Sequence, residues 1–164
     1  MQVSKLQQIY LSLGANLGNR EANLQKAIEL IRQRVGEVVR VSSFIETAAW
    51  GKTDQPDFLN LALQVSTSLL PLEVLLLIQE IEHQLGRERK EKWGARLLDI
   101  DIILWENQHI QYPQLEVPHP LMQDRTFVLI PMVEIAPEIE HPILKKNMKE
   151  LLDIIQKKEA ISES

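Results

Sequence analysis

Hydrophobic and polar residues at the start of the chain follow two different periods. The apolar run Ile9 to Leu13 ends in the glycine-bearing segment 14–19, which predicts a strand followed by a tight turn. Asn19 stands where a helix N-cap is expected, and apolar residues then recur every three or four positions up to Gly36. The apolar positions of this predicted helix are Leu24, Ala27, Ile28, Ile31 and Val35.

The next 68 positions, from Val38 to Trp105, repeat this plan with an additional strand. Val38 to Thr47 and Phe58 to Thr67 are rich in β-branched residues and predict neighbouring strands joined by a long, irregular loop. A second helical stripe begins at Pro71, which a first helical turn tolerates, and ends at Gly86. The strongly apolar segment Leu97 to Trp105 predicts a further strand.

The resulting order predicts an α+β fold with a ferredoxin-like βαββαβ core, in which two helices cover one face of an antiparallel sheet. A C-terminal extension follows, with a helix or turn from Arg125 to Glu134 and an amphipathic segment near Met148 to Ile155. We expect a single domain over residues 1–164, with its core at about residues 8–137 and a disordered tail at 157–164.

Composition excludes several classes of protein. The 164 residues suit one ordinary domain, and the absence of cysteine excludes disulfides, thiolate metal sites and a cysteine nucleophile, which fits the cytoplasm. The chain has no apolar run near the roughly 18 residues of a membrane span, so no membrane association is expected. A net charge of -5 argues against a nucleic-acid binder, because phosphate backbones require a broad basic surface. Any phosphate site must therefore be local.

Asp99 and Asp101 are the most informative polar residues. Positions i and i+2 of a strand share a face, so the two carboxylates project side by side from an apolar element. Such carboxylates raise each other's pKa unless a cation neutralises them. Oxygen ligands without His or Cys nearby suit magnesium, and a carboxylate pair can hold two ions that clamp a polyphosphate. The alternative is a solvent-facing pair at a strand edge.

A basic segment leads directly into this pair. This segment contains five cationic residues and only two glutamates, Glu88 and Glu91. Its net charge is therefore +3, although the chain as a whole is acidic. Cations beside a carboxylate-bound metal are typical of phosphoryl transfer, although a solvated charged loop is the plainer alternative. The cationic residues are Arg87, Arg89, Lys90, Lys92 and Arg96.

Seven short blocks, spread over about residues 9–137, occur together in one order. They are Leu13–Gly18, Ser42–Phe44, Asp54–Asn60, Lys92–Ile103, Val117–Pro120, Arg125–Phe127 and Glu134–Pro137. In this order they resemble the 6-hydroxymethyl-7,8-dihydropterin pyrophosphokinase (2-amino-4-hydroxy-6-hydroxymethyldihydropteridine diphosphokinase) family. Chance agreement of one such block is easy, whereas agreement of all seven is not.

The resemblance implies a reaction and its cofactors. Members of this family transfer diphosphate from ATP to the hydroxymethyl group of 6-hydroxymethyl-7,8-dihydropterin, giving AMP and the pterin diphosphate in tetrahydrofolate biosynthesis. The resemblance implies a monomer that uses ATP as co-substrate and two Mg2+ ions, with Asp99 and Asp101 as metal ligands. The implied catalytic residues are Arg87, Arg89, Arg96, Asp99 and Asp101.

The resemblance also implies two sets of binding residues. Phe58 and Phe127 would stack on the pterin and Asn60 would pair with its polar edge, although core packing is the alternative for each phenylalanine. The implied pterin-binding residues are Thr47, Ala48, Trp50, Phe58, Asn60, Trp93, Asp99 and Phe127. The implied ATP-binding residues are Gln79, Glu82, Arg89, Trp93, Arg96, Ile102, His119 and Arg125. The remaining histidines, His83, His109 and His141, are expected at the surface.

The chain departs from the family at four positions. A tyrosine often stands at Phe58 and at Pro120, an arginine at Gln114 and a serine at Ala15. Stacking survives the first departure, and loss of the arginine removes one possible phosphate contact. The departures therefore bear on ATP affinity more than on reaction type.

Two other functions remain open at this point. A two-metal phosphohydrolase or nuclease would share the Asp pair and the basic residues, but it would have no use for Phe58, Asn60 and Phe127. A non-catalytic ferredoxin-like binding module would carry Asp99 and Asp101 only as surface residues.

Overall fold

The protein alternates strands and helices, as the hydrophobic periods predict. The computed structural model describes residues 5–47, 57–86 and 98–162. A 3-10 turn at Met122–Asp124 precedes the third helix. In chain order the elements are β1 (Gln7–Ala15), α1 (Arg20–Arg34), β2 (Glu37–Val41), β3 (Ile45–Thr47), β4 (Phe58–Thr67), α2 (Pro71–Gly86), β5 (Asp99–Trp105), β6 (Ile110–Tyr112), β7 (Leu115–Val117), α3 (Thr126–Ile135) and α4 (Met148–Ser162).

The main sheet is antiparallel at every pairing between its described strands. Its order is β2-β4-β1-β5, and β3 also pairs with β4, while β6 and β7 form a separate two-stranded sheet. A mixed α/β protein with an antiparallel sheet, as predicted from the sequence, is therefore confirmed.

One predicted strand, Val38 to Thr47, is in fact two short strands with a break at residues 42–44. The Ser42 hydroxyl accepts a hydrogen bond from the Ala62 amide at 2.9 Å, which keeps the break against β4. The Ser43 amide donates to the Glu134 carboxylate of α3 at 2.6 Å instead of to a strand. The Ser42 amide still donates to the Ala62 carbonyl at 3.0 Å, and the strand is interrupted after it because the Ser43 amide binds a side chain of α3.

The first helix follows its predicted boundaries closely. Asn19 is the N-cap, and its Oδ1 accepts from the Ala22 amide at 3.1 Å. A Cβ on Gly36 would lie 2.1 Å from the Ser66 carbonyl oxygen, so this position requires glycine where the chain leaves α1 and passes the end of β4. All five predicted apolar positions of α1 are buried.

Alternation along β1, β4 and β5 gives the sheet two different faces. We call the face that packs on α1 and α2 the helix face; its core includes Leu11, Leu61 and Ile100, and side chains from both helices complete it. The opposite face, on which Ser12, Gly14, Asn60, Asp99 and Asp101 lie, we call the cleft face. Burial on the helix face fixes the register of the strands and thereby the positions of the polar residues behind it.

The predicted arrangement, with helices on one face of the sheet, is incomplete because helices cover part of both faces. The C-terminal extension brings α3 and α4 onto the cleft face, where Val128, Leu129, Met132 and Leu151 form a second core with Ile103 and other sheet residues. This second core covers part of the cleft face. The polar end of that face stays outside it.

The C-terminal segment is more ordered than its composition indicates. At the start of α4 the Asn147 side chain accepts from the Glu150 amide at 2.8 Å, and the Glu150 side chain accepts from the Asn147 amide at 2.9 Å. The helix then continues to Ser162, with a Lys157–Asp153 ion pair at 3.1 Å in its last turns. This corrects the expectation of a disordered tail as far as Ser162. Within the described residues, none of the helices is both long and apolar enough to span a bilayer.

Candidate active-site cleft

Strand register brings the polar residues of the cleft face into two adjacent rows. In one row Gly14 pairs with Asn60 on one side and with Asp99 on the other. In the next row Ser12 pairs with Ala62 and with Asp101. The predicted carboxylate pair on β5 therefore lies across the single strand β1 from the Asn60 amide on β4, although 39 positions separate Asn60 from Asp99 in the sequence.

Glycine at position 14 keeps the space between these side chains open. A Cβ at this position would lie 2.8 Å from Asn60 Oδ1 and 3.8 Å from Cδ1 of Phe58. Any larger residue would therefore have to displace the Asn60 amide. Gly14 thus forms a flat floor between the amide and Asp99.

A cleft of about 760 Å³ lies over this floor. Seven of the predicted site residues line it, namely Thr47, Phe58, Asn60, Asp99, Asp101, Arg125 and Phe127. It is also lined by six residues to which the sequence assigned no role, namely Ser12, Gly14, Leu121, Asp124, Thr126 and Glu159. The structure thus brings the carboxylate pair and both phenylalanines into one cavity.

The Asn60 amide has a fixed orientation. It is buried, and its Nδ2 donates to Thr47 Oγ1 at 2.8 Å and to the Ile45 carbonyl at 3.4 Å. These bonds assign the nitrogen to the β3 side and leave Oδ1 toward Gly14. Asn60 therefore presents an acceptor to the cleft, which suits a ring edge that carries N–H groups.

The segment that carries Phe58 is tied to α1. Arg20 donates to the Asp57 carbonyl at 2.8 Å and forms an ion pair with Glu46 at 2.5 Å. Phe58 itself pairs with Thr47 at the end of β3. The start of α1 thus holds both strands at the rim of the cleft.

The opposite wall comes from the start of α3. The Arg125 guanidinium lies 5.5 Å from the centroid of the Phe127 ring, which is within the range of a cation–π contact. Both side chains are half-buried. An aromatic ring and a cation thus stand together next to the carboxylate pair.

A bulge in β5 positions His119. The pairing of β1 with β5 shifts between Tyr10 and Leu11, which leaves Ile103 as an extra residue. The Ile103 carbonyl accepts a hydrogen bond from the His119 amide at 3.0 Å, and His119 Nδ1 accepts from the Leu121 amide at 3.1 Å. Because Nδ1 is an acceptor, the proton of the neutral ring lies on Nε2.

The ionisation of His119 depends on its burial and on two predicted site residues. Burial lowers the pKa of His119 below its ordinary value, and the charge of Arg125 lowers it further, while the Asp101 carboxylate opposes both effects. The lowered pKa favours the neutral ring, which can donate from Nε2. Asp101 and Arg125 both line the cleft, whereas His119 itself does not.

Besides His119, three predicted ATP residues lie outside the cleft lining. Glu82 accepts from the Ile100 amide at 2.8 Å, which ties α2 to β5 between the two aspartates. Ile102 has its side chain in the helix-face core, so it can offer only backbone groups. Gln79 is exposed and lines a separate surface cavity of about 450 Å³ with residues of α1 and α2.

Six of the predicted site residues lie outside the described residues. They are Ala48, Trp50, Arg87, Arg89, Trp93 and Arg96. Their roles therefore stay predictions.

The expectation of three surface histidines is wrong for His141. His83 and His109 are exposed, but His141 is buried, with Nδ1 accepting from the Ile143 and Leu144 amides at 3.2 and 3.1 Å. It closes the turn that precedes α4. The physical reason is a local hydrogen-bonded turn, which neither composition nor periodicity indicates.

Some of the missed lining residues had a signal in the sequence. Ser12 and Gly14 alternate with Leu11 and Leu13, so a strand buried on one face would present both on the other. Glu159 had no such signal, because its place in the cleft depends on how α4 folds back over the sheet.

The fold and the cleft together define a mixed α/β protein with a polar cleft at one end of an antiparallel sheet. The family described as 7,8-dihydro-6-hydroxymethylpterin-pyrophosphokinase (HPPK) matches residues 10–137. The chain belongs to this family.

Named relatives agree with this assignment. The 2-amino-4-hydroxy-6-hydroxymethyldihydropteridine pyrophosphokinase of Aquifex aeolicus is 43% identical over 142 residues, which cover 87% of this chain and 88% of the relative. The protein of the same name from Bacillus subtilis is 46% identical over 132 residues, covering 80% and 79% of the two chains. The predicted family is therefore confirmed.

Solved structures show the same fold at much lower identity. A Plasmodium falciparum HPPK-DHPS A437G structure matches with a TM-score of 0.78 and 18% identity over 93% of this chain. The wild-type protein with pteroate matches with a TM-score of 0.76 and 17% identity over 94% of this chain. This chain covers 46% and 43% of those longer chains, so the likeness concerns the fold alone.

Proposed function

We propose that the protein transfers diphosphate from ATP to the hydroxymethyl group of 6-hydroxymethyl-7,8-dihydropterin, giving AMP and the pterin diphosphate for folate synthesis. The observation that carries this proposal is that one cleft contains both Asp99 and Asp101 and the aromatic and amide residues suited to a flat heterocycle. Either group alone would fit many functions. Together they fit a polyphosphate donor beside a ring-shaped acceptor.

The pterin end of the proposed site is built from Phe58, Asn60 and Phe127. Two aromatic rings that line one cleft can stack on a flat ring, and the Asn60 acceptor can bind its N–H groups. Gly14 leaves the floor flat where the ring would lie. Thr47 contributes by holding the Asn60 amide in place.

The metal end is built from Asp99 and Asp101. No group of three or more His, Asp or Glu side chains within the described residues could hold a metal ion by itself. Two carboxylates nevertheless fit Mg2+, which usually keeps several waters and takes further oxygens from substrate phosphates. Two bound ions would neutralise charge on the phosphates and on the leaving group.

The phosphate wall is built from Arg125 and His119. The Arg125 guanidinium can donate two hydrogen bonds to phosphate oxygens, and His119 can donate one from Nε2. Asp101 lies in electrostatic range of His119. Arg87, Arg89 and Arg96 are proposed to add positive charge at the same place.

The outer edge of β5 suits recognition of the adenine base. The Ile100 amide points away from β1, because it donates to Glu82 of α2. Backbone groups two residues apart on a strand point the same way, so the Ile102 backbone also faces this outer edge. Ile102 would therefore contact ATP through its backbone, and Glu82 and Gln79 would flank it from α2.

In the proposed reaction the hydroxymethyl oxygen attacks the β-phosphorus of ATP. A bond forms between this oxygen and the β-phosphorus, the bond to the α–β bridging oxygen breaks, and AMP leaves with the electron pair. The hydroxyl proton passes to solvent water as the new bond forms. Alignment of two substrates in one cleft and charge stabilisation by Arg125 and His119 would lower the barrier.

A product assay tests this proposal against its rivals. The protein is incubated with magnesium ATP, with and without the hydroxymethyl pterin, and the nucleotides are separated. AMP formed only with the pterin is the expected result. Formation of ADP or free phosphate would instead support a two-metal phosphohydrolase, and absence of turnover would support a non-catalytic binding module.

We also propose the ferredoxin-like plan for the core, and a monomer located in the cytoplasm. The strand order β2-β4-β1-β5 supports the ferredoxin-like plan. In this order β1 and β4 are the central strands and β2 and β5 the outer ones, as a split βαβ arrangement requires. Light scattering at several protein concentrations would test the monomer.

A further inference from the structure

Asn16, which directly follows β1, has a buried side-chain amide without a hydrogen bond to any of the described residues. The residue is 1% exposed, and neither its Oδ1 nor its Nδ2 has a partner in the part of the chain that the structure describes. A buried polar group without a partner destabilises the folded state, and native proteins contain few of them. An amide with two such atoms requires a specific explanation.

Capping of the following helix does not explain this amide. Two other asparagines of the same segment already supply the local hydrogen bonds: Asn19 accepts from the Ala22 amide at 3.1 Å, and Asn23 donates to the Leu17 carbonyl at 3.2 Å. The backbone before Asn16 is held in the sheet by the pairing of Ala15 with Leu59. The turn is thus complete without the Asn16 side chain.

The position of Asn16 in the fold points to the cleft. Asn16 follows β1 directly, two positions beyond Gly14, which lines the cleft together with Ser12 and Phe58. Asn16 itself is buried and is not among the residues that line the cleft. Its amide therefore lies beside the end of the floor proposed to bind the heterocycle.

The hydrogen-bonding groups already in the cleft leave a need that Asn16 could meet. Asn60 uses its Nδ2 to bind Thr47 and Ile45, so it offers only an acceptor to a ligand. A pterin edge carries acceptors as well as N–H donors. The Asn16 amide has both a free donor and a free acceptor.

We propose that Asn16 is a further substrate-positioning residue, whose amide forms its hydrogen bonds only when the heterocycle is bound. This inference rests on the function proposed above, because the ligand is the reduced pterin. A buried amide that is unpaired in the free protein and paired in the complex favours binding through two contributions to the free energy. The free protein bears the cost of desolvation, and the complex gains the bonds.

The two states make opposite predictions for Asn16→Leu. Leucine has a similar size and no polar atom, so the free protein should unfold at the same temperature as the parent or at a higher one. Pterin affinity should fall by about 10- to 100-fold, because the bound state loses its hydrogen bonds. Affinity for a non-hydrolysable ATP analogue should stay near that of the parent.

Asn23→Leu is the matched control. Its amide already bonds to Leu17, so the variant should unfold at a lower temperature and keep the pterin affinity of the parent. Thermal unfolding without ligand and calorimetric titration with 6-hydroxymethyl-7,8-dihydropterin in the presence of the ATP analogue measure both quantities. Asn16→Ala, which adds no bulk, provides a second test if the leucine variant fails to fold.

The outcomes separate this inference from the proposed function. Variants of Asn16 that unfold at a lower temperature and bind the pterin like the parent would show a structural residue and overturn the inference. Equal loss of affinity for both ligands would mark general damage to the site and overturn it as well. A parent protein that does not bind the pterin would overturn the proposed function first and this inference with it.

Discussion

The two faces of β1, β4 and β5 consist of the same three strands, yet the helix face is apolar and one end of the cleft face is polar. On the helix face the strands present an apolar surface, with Leu11, Leu61 and Ile100 buried against α1 and α2. On the polar end of the cleft face the neighbouring positions are Ser12, Gly14, Asn60 and the aspartate pair. Along each strand, successive residues point alternately to the apolar helix face and to the cleft face.

This difference separates stability from function along a single strand. Apolar burial on the helix face supplies most of the favourable free energy of these strands, because it scales with buried apolar area. Polar residues on the cleft face contribute little to that term and are free to serve a ligand. Substitutions on the two faces should therefore give different losses, and the following variants test that separation.

The largest effect is expected from Asp99→Ala and Asp101→Ala. Each removes one carboxylate from the proposed metal pair, so turnover should fall by about 10³-fold or more, while the unfolding temperature without ligands stays near that of the parent. Steady-state rates at saturating magnesium and a thermal melt measure the two quantities. Near-normal turnover in either variant would refute the two-metal assignment.

Asp153→Ala is the control for these carboxylates. Asp153 is exposed on α4 and pairs only with Lys157 within the described residues, at 3.1 Å. Exposed ion pairs contribute little, so this variant should keep both its rate and its stability. A large rate loss in this variant would mean that the effect of removing acidic charge is not local to the cleft.

The helix face gives the opposite result for Leu61→Ala. Leu61 is fully buried between Asn60 and Ala62 of the cleft face, and truncation of a buried leucine costs about 2–5 kcal/mol of unfolding free energy. Urea unfolding measures this loss. The rate per folded molecule should stay close to that of the parent, and a loss of rate with full stability would break the separation of the two faces.

Much of this two-faced sheet is predictable from the sequence. Alternation and helical periodicity place β1, β4, β5, α1 and α2, because burial of one face imposes the period on the residues. The same alternation puts Asp99 with Asp101, and Phe58 with Asn60, on shared faces. What alternation does not provide is the pairing of β1 between β4 and β5, which brings these two pairs together.

The second wall of the cleft is less predictable. Leu121, Asp124 and Glu159 reach the cleft through the packing of α3 and α4 onto the cleft face, which depends on contacts between distant segments. The break between β2 and β3 has a similar origin, since Ser43 is held by Glu134 of α3. The buried His141 belongs to the same C-terminal region. Local sequence rules are weak where tertiary contacts decide the structure.

A smaller effect is expected from Phe127→Ala, on the wall opposite the sheet. Removal of a stacking ring should weaken pterin binding by about 1–3 kcal/mol, whereas ATP-analogue affinity should change less. A small change in ATP-analogue affinity is expected, because the Arg125 guanidinium loses its contact with the Phe127 ring at 5.5 Å. Calorimetric titration with each ligand measures the difference.

Phe127→Leu is the matched control, since it keeps an apolar side chain against the second core but has no ring to stack. It should lose pterin affinity like the alanine variant and retain more stability. Equal losses for both ligands in both variants would show that Phe127 acts only through packing.

The smallest effect concerns His141, which lies in the C-terminal region and not in the cleft lining. Burial lowers the pKa of His141 below its ordinary value of 6.5, and the neighbouring charge of His109 lowers it further. The folded state thus prefers the neutral ring, so this contribution to stability is complete above pH 6.5 and is lost as the pH falls through the lower folded-state pKa.

His141→Asn keeps an oxygen that can accept from the Ile143 and Leu144 amides and does not titrate. Its unfolding free energy, measured in urea over this acidic range, should depend less on pH than that of the parent, while the pH profile of turnover stays the same. An unchanged pH dependence of stability in His141→Asn would contradict the assignment, and a changed pH profile of turnover would mean that this region reaches the cleft after all.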